Sequence, residues 1–110
     1  KKRILMIFEP HRYSRTKQLL KDFIKVLLKV DQLVLLDIYP ASEKPMRGIS
    51  SSRLMDEINQ QKGNAINLSN DHAIEWITTN YKEFDILVTQ GAGTISQLNN
   101  SIKEKWALKK

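Results

Sequence analysis

The segment that decides the fold is Ile4-Leu5-Met6-Ile7-Phe8-Glu9-Pro10, near the start of the chain. Five consecutive apolar residues that stop near a proline are typical of a short strand buried on both faces, as in a parallel sheet. Similar apolar runs follow at residues 33–39, 65–68 and 86–89. The sequence therefore predicts four short buried strands.

The segments between these runs are amphipathic. From residue 16 to residue 30, apolar residues recur at spacings of three and four, which predicts a helix. The same pattern predicts helices over 50–62, where Gly63 suits the position after the helix end, and over 70–81. A last helix is expected from about Thr94, with Ile95, Leu98 and Ile102 on one face. This alternation predicts an α/β fold with a mostly parallel sheet and helices on both faces.

The composition is that of a globular domain, and it excludes several classes of site. The chain has 110 residues, of which 41% are hydrophobic and 27% charged, as expected for one domain or a piece of one. No apolar run approaches the roughly 20 residues of a membrane helix, so we expect a soluble chain with no membrane partner. There is no cysteine, and the two histidines are far apart, so no metal site is expected.

The net charge of +6 is concentrated at the two ends of the chain. Residues 1–3 and 103–110 carry seven cations and one acid, and the body between them is neutral. A neutral body is a poor electrostatic footprint for nucleic acid, so no nucleic-acid partner is expected. A non-catalytic module that binds an anion or a nucleic acid through its basic ends stays open as an alternative.

Ligands of an open parallel sheet bind beyond the carboxyl ends of its strands, where residues 9–16, 39–52 and 90–94 are expected to lie. Arg12 and Arg15 share a helix face if the first turn starts near Pro10 or His11. Beside a helix N-terminus, two guanidiniums and the free N–H groups would favour a bound anion. His11 could donate to the same ligand or act in acid–base chemistry.

The alternative for the two arginines is a pair of surface residues that bind local acids such as Glu9 or Asp37. The other two segments carry weaker signals. Residues 90–94 hold a Gly-x-Gly turn without the third glycine of a dinucleotide site or the lysine of a P-loop, so they predict a tight turn. Residues 40–52 form one long loop with charges at Glu43, Lys44 and Arg47, and a mobile surface loop is the default interpretation. No nucleophile–base pair has a recognisable signature, so no catalytic residue is predicted.

Three segments together carry a resemblance to a known family. They are Phe8-Glu9-Pro10-His11-Arg12-Tyr13-Ser14-Arg15-Thr16, Leu36-Asp37-Ile38-Tyr39-Pro40-Ala41 and Thr89-Gln90-Gly91-Ala92-Gly93. In this order and spacing they resemble the C-terminal domain of bacterial UDP-N-acetylmuramate–L-alanine ligases, which are Mur ligases. Glu9 stands where the family commonly has Gln. The related murein peptide ligase, which has a different segment after the proline, is the alternative within the family.

The resemblance implies that residues 1–110 are a single Rossmann-like domain, the amino-acid-binding C-terminal domain without its first segment, from a cytoplasmic enzyme of bacterial cell-wall (peptidoglycan) synthesis. It implies that ATP and Mg²⁺ activate the carboxylate of UDP-N-acetylmuramate as an acyl phosphate in the full-length enzyme, and that the amine of L-alanine then attacks. The N-terminal and central domains would be required, so the chain alone is expected to be inactive and to bind ATP poorly. By the same resemblance the alanine carboxylate and its pocket involve His11, Arg12 and Arg15, and the supporting residues are Tyr13, Gln90, Gly91, Ala92 and Gly93.

Overall fold

A computed structural model describes residues 2–91, 95, 100, 103 and 104 of the chain. Within this part the elements alternate as predicted, which confirms the α/β class. The four strands are β1 (Ile4–Phe8), β2 (Gln32–Leu35), β3 (Ala65–Asn67) and β4 (Ile86–Gln90). The helices are α1 (Tyr13–Leu27), α2 (Ser51–Gln60) and α3 (Asn70–Asn80), and a 3₁₀ turn follows at Tyr81–Glu83.

The strands form one sheet in the order β3-β2-β1-β4, and every neighbouring pair is parallel. Strand β1 lies inside the sheet, where Met6 is in register with Leu33 of β2 and with Val88 of β4. The chain runs outward from β1 through β2 to β3 and then returns to the other side of β1. This reversal between β1 and β4 is a topological switch point, where α/β sheets commonly bind ligands beyond the strand ends.

Helices cover both faces of the sheet, as the sequence predicted. Alternate residues of β1 point to opposite faces, so that Leu5 and Ile7 belong to one buried cluster and Met6 and Phe8 to another. The first cluster includes Ala73 and Ile77 of α3 together with Phe84. The second includes Ile24 and Leu27 of α1 and Leu54 and Ile58 of α2. Burial on both faces accounts for the continuous apolar runs in β1 and β2.

Strand β4 differs from the prediction of a strand buried on both faces. Ile86 and Val88 are 39% and 38% exposed, and both lie on the face that carries Met6. Strand β4 is at an edge of the described sheet, and α1 and α2 pack over β1, β2 and β3 on this face instead. The apolar run of β4 is therefore only half used for burial within the described residues.

The helix boundaries shift by a few residues, and the end of α2 is built differently from the prediction. The left-handed residue there is Lys62, with φ of 66°, and not Gly63. Gly63 is required for space instead, because a Cβ at this position would lie 2.4 Å from Cγ2 of Ile58. The predicted last helix lies mostly outside the described residues, although Ile95 is helical and buried. No helix in the described part of the chain is both long and apolar enough to cross a membrane.

Candidate functional site

The connection from β1 to α1 turns sharply at Arg12, which occupies the position just before the first residue of α1. Arg12 has φ of 66°, in the left-handed region that residues other than glycine seldom adopt. Its backbone is held on both sides: its N–H donates to the carbonyl of Tyr39 at 2.8 Å, and its carbonyl accepts from the N–H of Thr16 at 3.1 Å. The Thr16 hydroxyl donates to the same carbonyl at 2.7 Å. The backbone of Arg12 is fixed, and its side chain remains exposed.

The three predicted ligand-binding residues come together at one open hollow of about 530 Å³ beside the end of β1. This hollow, the α1 hollow, is lined by His11, Arg12, Ser14, Arg15 and Gln18. The sequence predicted a shared helix face for the two arginines if the first turn started near Pro10 or His11. That start is wrong, because α1 begins at Tyr13 and Arg12 therefore precedes the helix. The two side chains line the same hollow with a left-handed turn at Arg12 between β1 and α1, and they do not share a helix face.

Neither guanidinium of the α1 hollow forms an ion pair with a described residue. The acids that were the alternative partners are engaged elsewhere. Glu9 is 2% exposed, and its Oε1 accepts from the N–H of Ile95 at 3.3 Å. Asp37 accepts from the Asn67 side-chain amide at 3.3 Å. Both arginines are exposed cations without a carboxylate partner in the described chain.

His11 is held in place by Tyr39. The two rings stack with centroids 5.7 Å apart and planes inclined by 16°. The backbones of the same residues form an isolated parallel bridge, in which the N–H of Tyr39 donates to the carbonyl of Pro10 at 2.9 Å. The bridge fixes the start of the 40–50 loop against the α1 hollow.

The 40–50 loop is anchored to α1 by Glu43, a contact that the sequence did not indicate. Oε1 of Glu43 accepts from the backbone N–H groups of Tyr13 at 2.7 Å and Ser14 at 3.2 Å. Oε2 accepts from the Ser14 hydroxyl. The Ser14 hydroxyl bond and then the Ser14 N–H lower the pKa of Glu43; desolvation opposes them, and the Tyr13 N–H and the charge of Arg12 lower the pKa further. Glu43 is therefore the ionised cap of α1.

This cap corrects one expectation about the site. The sequence predicted that free N–H groups of the first helical turn would face a bound anion. Two of those groups, at Tyr13 and Ser14, already bind Glu43. Tyr13, predicted as a supporting residue, contributes its backbone N–H to this cap. An anion in the α1 hollow could not use these two groups and would depend on the side chains that line the hollow.

The described part of the predicted supporting turn, Gln90 and Gly91, lies next to β1 and is not among the residues that line the α1 hollow. The carbonyl of Gln90 accepts from the N–H of Glu9 at 2.9 Å, and Gly91 packs on the Glu9 backbone. Gly91 thus allows the backbone after β4 to lie close to the backbone after β1. Ala92 and Gly93 lie outside the described residues.

Glu9, the departure from the family pattern, faces a second hollow of about 320 Å³. That hollow is also lined by Asp37, Tyr39 and the start of α3, and it shares no residue with the α1 hollow. Glu9 is therefore not among the residues that line the α1 hollow with the two arginines.

The resemblance implies Mg²⁺ and ATP as cofactors of the full-length enzyme. The described residues bring no three His, Asp or Glu side chains together in an arrangement that could hold a metal ion. The described part of this chain thus offers no donor set of its own for Mg²⁺.

The described residues thus form a Rossmann-like parallel α/β domain with a cationic hollow beside the central strand. No family model matches the chain. Among solved structures, UDP-N-acetylmuramate–alanine ligase MurC from Thermotoga maritima is similar to it, with a TM-score of 0.60 and 18% sequence identity. The match covers 100% of this chain and 21% of the MurC chain, so this chain spans about a fifth of that protein's length. The likeness shows a shared, Mur-ligase-like fold.

Proposed function

We propose that this chain is the C-terminal substrate-binding domain of an ATP-dependent ligase that joins L-alanine to UDP-N-acetylmuramate in bacterial peptidoglycan synthesis. One observation carries the proposal: Arg12 and Arg15 converge on one hollow at the end of β1, and neither has a carboxylate partner among the described residues. The fold shared with part of a MurC protein supports the same class of enzyme.

The role of the α1 hollow is to hold the amino-acid carboxylate. Guanidinium groups bind carboxylates through short, charge-assisted and often bidentate hydrogen bonds. With its carboxylate held by Arg12 and Arg15, L-alanine would keep its amine free to attack the acyl phosphate. His11, stacked on Tyr39, forms a fixed wall of the same hollow. The chain would accelerate the reaction by positioning the amine, and the other domains would supply ATP, Mg²⁺ and the sugar nucleotide.

The test is steady-state kinetics of the full-length enzyme. Arg12→Ala and Arg15→Ala should each raise the KM for L-alanine about tenfold or more, since each removes a charge-assisted contact. The KM for ATP should not change. The matched control is Arg53→Ala, because Arg53 is an exposed arginine of α2 whose ion pair with Glu57 is long, at 3.8 Å. An unchanged KM for L-alanine in both arginine variants would exclude binding of the alanine carboxylate by Arg12 and Arg15, the proposed arginine clamp.

The same assay separates the two alternatives. If the wild-type enzyme uses a muropeptide in place of L-alanine, it is a murein peptide ligase. If it ligates neither and the chain binds an oligonucleotide in a salt-dependent manner, the basic ends are the functional site. One cation of those ends already has a structural role, since the Arg3 guanidinium lies 4.9 Å from the centre of the Phe84 ring.

A further inference from the structure

Glu43 joins two parts of the chain at the edge of the α1 hollow, and neither the resemblance nor the comparison gives it a role. We propose that Glu43 is a positioning residue for the amino-acid carboxylate, acting through Arg12. The inference rests on the proposed function of the α1 hollow and adds a residue to it. Glu43 does not line the hollow itself.

The start of α1 needs a partner from elsewhere in the chain. Arg12 occupies the N-cap position, where its side chain makes no capping hydrogen bond, and the first turn contains no acidic residue. An arginine has no acceptor atom, so the first N–H groups of the helix would lack a side-chain partner. The positive end of the helix dipole would also repel Arg12 and Arg15. Glu43 removes both problems with one carboxylate.

One short segment, residues 39–43, binds three consecutive N–H groups of the site. The carbonyl of Tyr39 accepts from Arg12, and the carboxylate of Glu43 accepts from Tyr13 and Ser14. The segment is closed by a turn in which the N–H of Glu43 donates to the carbonyl of Pro40 at 3.0 Å. The Tyr39 carbonyl thus binds the Arg12 backbone directly, and Glu43 holds the other end of the same segment against the first turn of α1.

The backbone of this junction is strained on both sides. In the described chain, the residues other than glycine with positive φ are Arg12, Ala41, Ser42 and Lys62, and the first three belong to the junction. Such conformations persist only where surrounding contacts hold them. Ala41 and Ser42, with φ of 49° and 74°, carry the chain round to Glu43, whose bonds to α1 in turn secure the turn at Arg12.

A second possible role for Glu43 would have the opposite effect on ligand binding. A carboxylate near Arg12 could compete with a ligand carboxylate for the cation, and removing it would then strengthen ligand binding. We favour positioning because the oxygens of Glu43 are bound by backbone N–H groups and a hydroxyl, and no ion pair joins Glu43 to Arg12.

The experiment measures the KM for L-alanine in the full-length enzyme with Glu43→Ala and Glu43→Gln. We expect Glu43→Ala to raise this KM about tenfold or more, with kcat and the KM for ATP within about twofold. Glu43→Gln keeps an oxygen that can accept from Tyr13 and Ser14, so it should recover part of the loss. Lys44→Ala, an exposed neighbour outside these bonds, is the matched control. In the Arg12→Ala background, Glu43→Ala should add little.

The outcomes separate this inference from the proposed function. If Arg12→Ala raises the KM for L-alanine and Glu43→Ala leaves it unchanged or lowers it, positioning by Glu43 is wrong and the clamp stands. If Arg12→Ala does not change the KM for L-alanine, the arginine clamp is wrong and the inference about Glu43 is wrong as well. Positioning through Arg12 is also wrong if Glu43→Ala raises the KM for L-alanine and Glu43→Gln raises it equally. The same holds if the effects of Glu43→Ala and Arg12→Ala on this KM are fully additive. Thermal unfolding of each variant identifies any loss of the fold, and Glu43→Gln then decides the test alone.

Discussion

Gly91 lies so close to Glu9 that a Cβ at Gly91 would be 2.8 Å from the Glu9 carbonyl oxygen and 2.9 Å from the Glu9 Cβ. Gly91 also has φ of 147°, a backbone conformation that favours glycine. The two residues follow β4 and β1, the strands on either side of the topological switch point. Glycine is therefore required at Gly91 for both space and conformation.

Gly91→Ala should lower the free energy of unfolding. The unfavourable φ alone is expected to cost about 1–3 kcal/mol, and the contact with the Glu9 backbone adds to this. Urea denaturation of the chain measures the loss. Gly48→Ala is the matched control, since Gly48 also has a positive φ, +81°, but nothing lies within 4 Å of its added Cβ. Equal losses in the two variants would show that the approach to Glu9 carries no penalty.

The stability of the chain should fall on acidification through the protonation of Glu43. Hydrogen bonds to the carboxylate lower its pKa in the folded state from the ordinary value of 4.5. A carboxyl group with a lowered folded pKa stabilises the fold above its unfolded pKa, and this contribution is lost as the pH falls through the folded pKa. The cap of α1 should therefore be intact at neutral pH and weaken below about pH 4.5.

The measurement for this pH dependence is the difference in unfolding free energy between wild type and Glu43→Gln, from about pH 7 to about pH 3. Other carboxyl groups titrate in both proteins and cancel in the difference. We expect wild type to be the more stable at neutral pH and the difference to shrink on acidification. A difference that stays constant across this range would show that the ionised form of Glu43 does not cap α1.

The fold could be predicted from the sequence because its signal is local. The apolar run in β1 and the spacing of apolar residues in α3 each follow from burial within one element. The exposure of Ile86 and Val88 could not be predicted, because it depends on β4 lying at an edge of the described sheet. An apolar run by itself does not report which neighbours a strand acquires.

The candidate site likewise contains one part that follows from local sequence and one part that depends on distant contacts. The closeness of Arg12 and Arg15 in space could be predicted because they are close in sequence and follow a strand. Glu43 was missed because it lies 30 residues from Tyr13, and two left-handed residues, Ala41 and Ser42, must turn the chain before its carboxylate reaches α1. No side-chain pattern in residues 39–43 predicts the left-handed conformation of Ala41 and Ser42.

Two isoleucines of α3 should differ sharply in their contribution to stability. Ile77 is 1% exposed and packs with Leu5, Ile7 and Phe84, whereas Ile74, three residues earlier, is 38% exposed. Ile77→Ala removes buried methyl groups and leaves a cavity, so it should lower the unfolding free energy by about 2–5 kcal/mol. Ile74→Ala should change it by less than about 1 kcal/mol. Similar losses in chemical denaturation would contradict the packing of α3 on this face.

The three consecutive serines at the start of α2 look equivalent in sequence but have different roles in the structure. Ser50 caps the helix, since its hydroxyl oxygen accepts from the N–H of Arg53 at 3.1 Å. Ser51 is buried, and its hydroxyl donates to the carbonyl of Leu36 at 2.5 Å. Ser52 is exposed.

Replacing each serine with alanine should therefore give three different losses of unfolding free energy. Ser51→Ala removes the donor to the Leu36 carbonyl in a buried setting, which should cost about 1–3 kcal/mol. Ser50→Ala removes a helix cap, worth about 1 kcal/mol. Ser52→Ala should stay within about 0.5 kcal/mol of wild type and serves as the control. If Ser51→Ala were as mild as Ser52→Ala in urea denaturation, the bond that ties α2 to the end of β2 would contribute nothing to the fold.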